Sequence, residues 1–301
     1  MAAKGAAKKI WSLISEEKLR LIYTSMLRYR LLQERLRKQS RSRRSHADTS
    51  LCAAPEAILA GTAIDLRPTD AIALLQGNAA AAWIQGVPLQ TVLTHADTNT
   101  PSQNFAHNFL PTASSPAALL HLCLGFAWAH AQQKDSAVVV AYLNESSTPV
   151  AVLQEALRTA SAHKLPVLFV CTIEESAAQS QSSSRKKLTA LHTQAQICGV
   201  PGIPVDGADA VAIYRVSFEA LQRARNGGGP TLIEAKLLRD KTAAHAFADP
   251  IATMERYMEQ RGIFDVKWKQ KTAAAFAKEL DKAVASVAAR GRKSSRQKRN
   301  R

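Results

Sequence analysis

Aromatic residues are scarce in this chain, at 6% of 301 residues, and its four cysteines form no Cys-x-x-Cys pair or other metal-ligand spacing. The first scarcity argues against reading single-stranded nucleic acid by base stacking, which needs aromatics interleaved with basic groups. The second argues against a disulfide scaffold or a thiolate metal centre. Three of the four cysteines sit in apolar runs and read as buried thiols in a reducing compartment. Long hydrophobic runs are also missing. The most apolar helical stretch, 116–131, is about 16 residues long and contains His121 and His130, short of the roughly 20 that span a membrane. Residues 1–9 lack the apolar core of a secretory signal. The expectation is a soluble, cytoplasmic protein.

Acidic residues are nearly absent from both ends. Residues 1–46 hold 13 Lys/Arg against 3 Asp/Glu, and 290–301 hold 7 against none, within a net charge of +16. The body between them carries 20 basic and 21 acidic groups. Like-charge blocks without apolar periodicity read as solvated tails, with polyanion contact as a further reading. The chain therefore divides into a basic, loose 1–14, a globular 15–289 and a basic tail 290–301.

What the sequence does contain is clearest in 137–176. The run Ala137-Val138-Val139-Val140-Ala141-Tyr142-Leu143 is apolar on both faces. A polar turn, Asn144 to Pro149, leads into a helix with Val152, Leu153, Ala156, Leu157 and Ala160 on one side. Leu165-Pro166-Val167-Leu168-Phe169-Val170-Cys171 then reads as a second buried strand. Strand, helix, strand with both strands buried on two faces is a parallel βαβ unit. Ligands of such sheets bind beyond the carboxyl ends of the strands. Here those ends are Asn144-Glu145-Ser146 and Thr172-Ile173-Glu174-Glu175.

Elsewhere, Ser15 with Glu16 and Glu17 reads as the start of an amphipathic helix bearing Leu19, Ile22, Tyr23, Met26 and Leu27, with Arg28, Arg30, Arg35 and Arg37 around the rest. Pro55 opens a second helix. Asp209 is placed to cap a helix that runs to about Asn226. Gly227-Gly228-Gly229 follows a helix and precedes a strand, the reverse of a phosphate loop. His121, His130 and His163 have no matched carboxylate or nucleophile in the sequence and read as structural. A final long helix carries Trp268, Thr272, Phe276, Leu280, Val284 and Val287.

Several of these stretches resemble the alpha subunit of thiamine-diphosphate-dependent 2-oxo acid dehydrogenases, the pyruvate, branched-chain and acetoin group. The strongest are Leu165-Pro166-Val167, Gly199-Val200-Pro201-Gly202-Ile203-Pro204-Val205-Asp206-Gly207-Ala208-Asp209 and Thr231-Leu232-Ile233-Glu234-Ala235. Also similar are Gln85-Gly86-Val87-Pro88 and Asp249-Pro250-Ile251. The resemblance implies a three-layer α/β thiamine-diphosphate-binding fold, with a mostly parallel sheet and helices on both faces. It implies thiamine diphosphate and Mg²⁺ held beside a beta-type partner subunit, in a hetero-oligomer that passes an acyl group to the lipoyl carrier of an acyltransferase core.

Counting back from Leu165 places Asn144-Glu145-Ser146 on the family's Gly-Asp-Gly and Ile173-Glu174 on its Asn-Asn. By resemblance Asn144, Glu145, Ser146 and Glu174 are the cofactor-binding positions, and Glu145 and Glu174 the metal positions. No catalytic residue is assigned. The family's Tyr-Arg pair falls on Gln76 and Gly77, and its Arg-Gly-His-Ser loop on Arg239-Asp240-Lys241-Thr242, with His245 of unclear register. Gln cannot replace the bidentate phosphate contact of Arg. Glu174 adds a second anion near the diphosphate, and two unit charges ~4 Å apart repel by about 4 kcal/mol at an effective dielectric of 20. The expectation is a family homologue with lost or weakened catalysis, acting as a structural or regulatory partner. The alternatives are an active subunit with an altered metal site and a polyanion-binding protein.

Overall fold

The structure is a computed structural model, and it describes residues 14–42, 55–74, 79–84, 86–98, 110, 113, 115–175, 190–238 and 247–299. Five parallel strands form one sheet: β1 (Ala71–Leu74), β2 (Val139–Asn144), β3 (Val167–Glu175), β4 (Gly202–Asp206) and β5 (Thr231–Leu238), in the order β1-β2-β3-β5-β4. The two strands read from sequence, within 137–143 and 165–171, are thus side by side, and β5 lies next to β3. The two edges are short. On the β1 edge, Leu110 donates its backbone N–H to Ile72 at 2.9 Å, so part of the open ladder is covered.

Side-chain alternation along the central strands fills two cores. Val139, Ala141 and Leu143 face one side, packed with α5 (Pro116–Gln133), α6 (Val150–Ala162) and α7 (Leu191–Ile197). Val138, Val140 and Tyr142 face the other. That side holds α1 (Glu16–Ser42), α2 (Pro55–Ala63), α3 (Ala79–Ile84), α4 (Leu89–Thr98), α8 (Ala210–Arg225), α9 (Pro250–Gln260) and α10 (Val266–Arg299). The three layers expected from sequence are present. Tyr142, fully buried between them, shares a short hydrogen bond with Thr62, whose hydroxyl also donates to Ile58 O at 2.7 Å.

Local signals act where the sequence places them. Ser15 Oγ accepts from Lys18 N–H at 3.2 Å, and Asp209 accepts from Val211 and Ala212 at 2.9 and 3.0 Å. Each satisfies donors that a helix leaves open in its first turn. Cys123, Cys171 and Cys198 are buried free thiols, and burial pushes Cys123 up to about 12. No helix among the described residues is long and apolar enough to cross a membrane.

The termini depart from the expectation in two details. Ile14 is buried in the larger core, and α10 continues through 290–299, inside the stretch read as a loose tail. Its Ala, Lys, Arg and Gln content suits a helix and no proline interrupts it. Residues 1–13 lie outside the described residues. The arginines of α1 are committed to packing. Arg20 lies over Trp268 at 5.1 Å and Arg28 over Phe276 at 5.6 Å, while Arg30 pairs with Glu56 and Asp249, and Arg35 with Asp281. A row of positive charge in the sequence is therefore largely an internal seam between α1, α2, α9 and α10.

Candidate functional site

The carboxyl edge of the sheet is where a parallel α/β fold takes ligands. Its described floor consists of the turn 144–148 after β2, the end of β3 and the turn Asp206–Ala208 after β4. Loops 75–78, 176–189 and 239–246 lie outside the described residues, and with them Gln76, Gly77, Arg239 and His245.

The turn after β2 is closed on itself. Asn144 Oδ1 accepts from Ser146 N–H at 2.9 Å and from Ser146 Oγ at 2.8 Å. Asn144 O accepts from Ser147 and Thr148 N–H at 3.2 and 3.1 Å, and Glu145 N–H donates to Thr172 O of β3 at 3.0 Å. Asn closes such turns because its short side chain reaches the backbone two residues on. Every backbone N–H from Glu145 to Thr148 is thus already used. Thr148 Oγ1 has no partner, but it is buried beneath the turn. The following helix α6 is preceded by Pro149 at its N-cap, which supplies neither an N–H nor a side-chain cap.

The structure places Asn144 and Thr172 opposite each other in the β2–β3 ladder, so Glu145 and Glu174 flank the same stretch of edge. Both glutamates are exposed, and neither has an ion-pair partner among the described residues. No group of three or more His, Cys, Asp or Glu side chains suited to a metal occurs among the described residues. The site positions read from sequence are therefore neighbours along one edge, without the surrounding donors of a built metal centre. A diphosphate held by backbone N–H groups does not fit this turn as it stands. Its donors are consumed, and the two nearby side chains carry the wrong charge for a phosphate.

Sequence reasoning missed a second polar group nearby. Glu234 lies in β5 with its side chain 1% exposed, and Oε2 accepts both the N–H of His192 at 2.6 Å and its Nδ1 at 2.8 Å. Lys236 Nζ lies 3.3 Å from Oε1. The available signal was a glutamate inside an otherwise apolar strand, because a buried charge needs partners. Burial first, then the charges of Glu145 and Glu234, push the Cys171 thiol far up, so both carboxylates lie near that strand. Of the histidines singled out from sequence, His121 is exposed on α5 and the other two lie elsewhere. His130 pairs with Asp135 at 2.8 Å, and the His163 ring lies 4.3 Å from Trp128, both at the opposite end of α5 and α6.

Comparison with known proteins agrees with the fold. The chain matches the family described as "Dehydrogenase E1 component" over residues 23–295. It is 32% identical over 161 residues to proteins named pyruvate dehydrogenase E1 component subunit alpha from Staphylococcus epidermidis and Staphylococcus aureus. Those alignments cover 47% of this chain and 43% of each relative, so the matched stretch spans less than half the relatives' length. A match over nearly the whole chain, on a parallel five-stranded sheet, assigns the chain to the dehydrogenase E1 component family.

Proposed function

We propose that this chain is an alpha-type E1 subunit whose own cofactor site is weakened, and that it serves as a structural or regulatory partner of a beta-type subunit. The observation that carries this reading is the self-closed turn at Asn144. Thiamine diphosphate and Mg²⁺ are what the family uses, with the diphosphate and metal on the alpha side. In this chain the Gly-Asp-Gly positions are Asn144, Glu145 and Ser146, and the second Asn position is Glu174. Side chains stand where glycines would let phosphate approach backbone, and the backbone donors are engaged within the turn.

Association is the function that the rest of the surface supports. The α5 helix is apolar around its circumference, with Trp128 40% exposed and nothing within 4 Å of the place where a Cβ on Gly125 would stand. A helix of that kind suits burial on both sides. The lipoyl acyltransferase core is a further partner implied through the beta-type subunit. Polyanion binding has less support, because the arginines of α1 are spent on ring and carboxylate contacts within the fold.

The test is co-expression with a beta-type subunit of the family, followed by light scattering and by calorimetric titration with Mg²⁺–thiamine diphosphate. A stable complex with weak cofactor binding is expected. A monomer with no affinity for that subunit would overturn the partner role. Tight cofactor binding by the complex would favour the reading of an active subunit with an altered site.

A further inference from the structure

His192 is held more firmly than any surface role requires. Its N–H and Nδ1 both donate to Glu234 Oε2, which fixes the ring orientation at the start of α7. From below, the first residue of β4 locks the same backbone. A Cβ on Gly202 would stand 2.1 Å from His192 O and 2.6 Å from its Cα, so only glycine permits this approach. With Nδ1 donating to a carboxylate, the lone pair of the neutral ring is on Nε2. That nitrogen has no partner among the described residues, and the side chain is 26% exposed.

The ring lies close to the edge where ligands bind. Glu234 is opposite Cys171 in the ladder, and Cys171 is opposite Leu143, the last residue but one of β2. Charged side chains near this part of the sheet include the carboxylates of Glu234 and Glu145 and the ammonium of Lys236. The carboxylates disfavour an anionic ligand.

The geometry points to His192 as a general base, positioned by Glu234 at the start of α7, for a neutral hydroxyl-bearing ligand, water or a small alcohol. In the step, Nε2 takes the O–H proton while the oxygen lone pair forms a bond to an electrophilic acyl carbon, whose bond to an oxygen leaving group breaks with its electron pair going to that oxygen. The imidazolium so formed remains paired with the Glu234 carboxylate, the arrangement that makes imidazole–carboxylate pairs effective in proton transfer. This assignment does not rest on the cofactor reading.

The test uses the full chain and p-nitrophenyl acetate, a neutral ester, with water as the hydroxyl compound. Water loses a proton to Nε2, its oxygen bonds to the acyl carbon, and nitrophenolate leaves with the electrons of the broken C–O bond. Hydrolysis above the buffer rate, slowed in D₂O, is expected. His192→Gln should lower it by about a hundredfold, the low end of what a positioned base contributes. Glu234→Gln should lower it less, and His163→Gln should leave it unchanged. Gln at 192 can still donate to Glu234, and circular dichroism checks the fold. As an independent measurement, diethyl pyrocarbonate with peptide mapping should carbethoxylate His192 in the folded wild-type chain. Equal hydrolysis by wild type and His192→Gln would overturn the assignment. So would a His192 that stays unreacted while the exposed His121 and His163 are modified. Neither reagent involves thiamine diphosphate or a partner subunit, so failure here is separable from failure of the proposed function.

Discussion

Arg225 and Asp70 form a two-pronged ion pair at the amino end of the sheet, at 2.7 and 2.6 Å, with side chains 4% and 0% exposed. Asp70 also accepts the N–H groups of Val138 at 2.9 Å and Arg67 at 2.6 Å, and Arg225 donates to Ser136 O at 2.9 Å. The pair ties the end of α8 to the starts of β1 and β2. Removing one partner leaves a buried charge unmatched, which costs about 3–5 kcal/mol. Arg225→Leu should lower the denaturant midpoint accordingly, and Asp70→Asn combined with Arg225→Leu should lower it by less than the single change. Equal losses for the single and double variants would show that the two groups are not coupled.

Two glycines should respond in opposite directions. Gly202→Ala forces a methyl into the His192 backbone, where no side-chain rotation relieves it. Overpacking of that kind costs typically 1–3 kcal/mol. Gly125→Ala sits in a helix with nothing within 4 Å of the added carbon. It should stabilise the isolated chain by about 0.5–1 kcal/mol through helix propensity alone. Thermal melts of both variants check the pair, and a destabilising Gly125→Ala would contradict the open space seen there.

Acid should loosen the seam between α1 and α9. Burial works to raise the Asp249 carboxyl, but the hydrogen bond and charge of Arg30 and the N–H of Ile251 outweigh it and hold the group below the usual carboxylate range. A carboxyl depressed in the folded state contributes stability above its unfolded value and loses it as pH falls through the folded one. The contribution is thus present above about pH 4 and disappears below it. Asp249→Asn should flatten the stability curve in that range while leaving its slope at neutral pH unchanged. An unaltered curve would show that the pair adds nothing.

The sequence made the central βαβ unit legible because its strands are apolar on both faces and its helix keeps one apolar side. Asp209 was readable as a cap for the same local reason, since its carboxylate serves donors two and three residues away. What stayed hidden depends on residues far apart in the chain. Asp70 meets Arg225, and His192 meets Glu234, only after the sheet is assembled in the order β1-β2-β3-β5-β4. The α1 arginines looked like a solvent face because charge pattern alone does not reveal which rings and carboxylates will lie beneath them. At the candidate site, residue identity was legible and donor use was not. Asn144 was readable as a turn former, but the engagement of each N–H from Glu145 to Thr148 is a property of the folded turn.

The backbone donors of the turn after β2 are engaged within the fold, and calorimetry of Mg²⁺–thiamine diphosphate with the chain and a beta-type subunit tests most directly whether a diphosphate binds there. The comparison is a variant carrying Asn144→Gly, Glu145→Asp, Ser146→Gly and Glu174→Asn. Glycine at 144 removes the side-chain oxygen that holds the 146 N–H, glycine at 146 makes room for a phosphate, and the other two changes restore an acidic and a neutral oxygen ligand for a cation that wants octahedral geometry. The unaltered chain should bind at least about a hundredfold more weakly than the variant, a difference of about 2.7 kcal/mol. Micromolar binding by the unaltered complex, unchanged in the variant, would contradict the account.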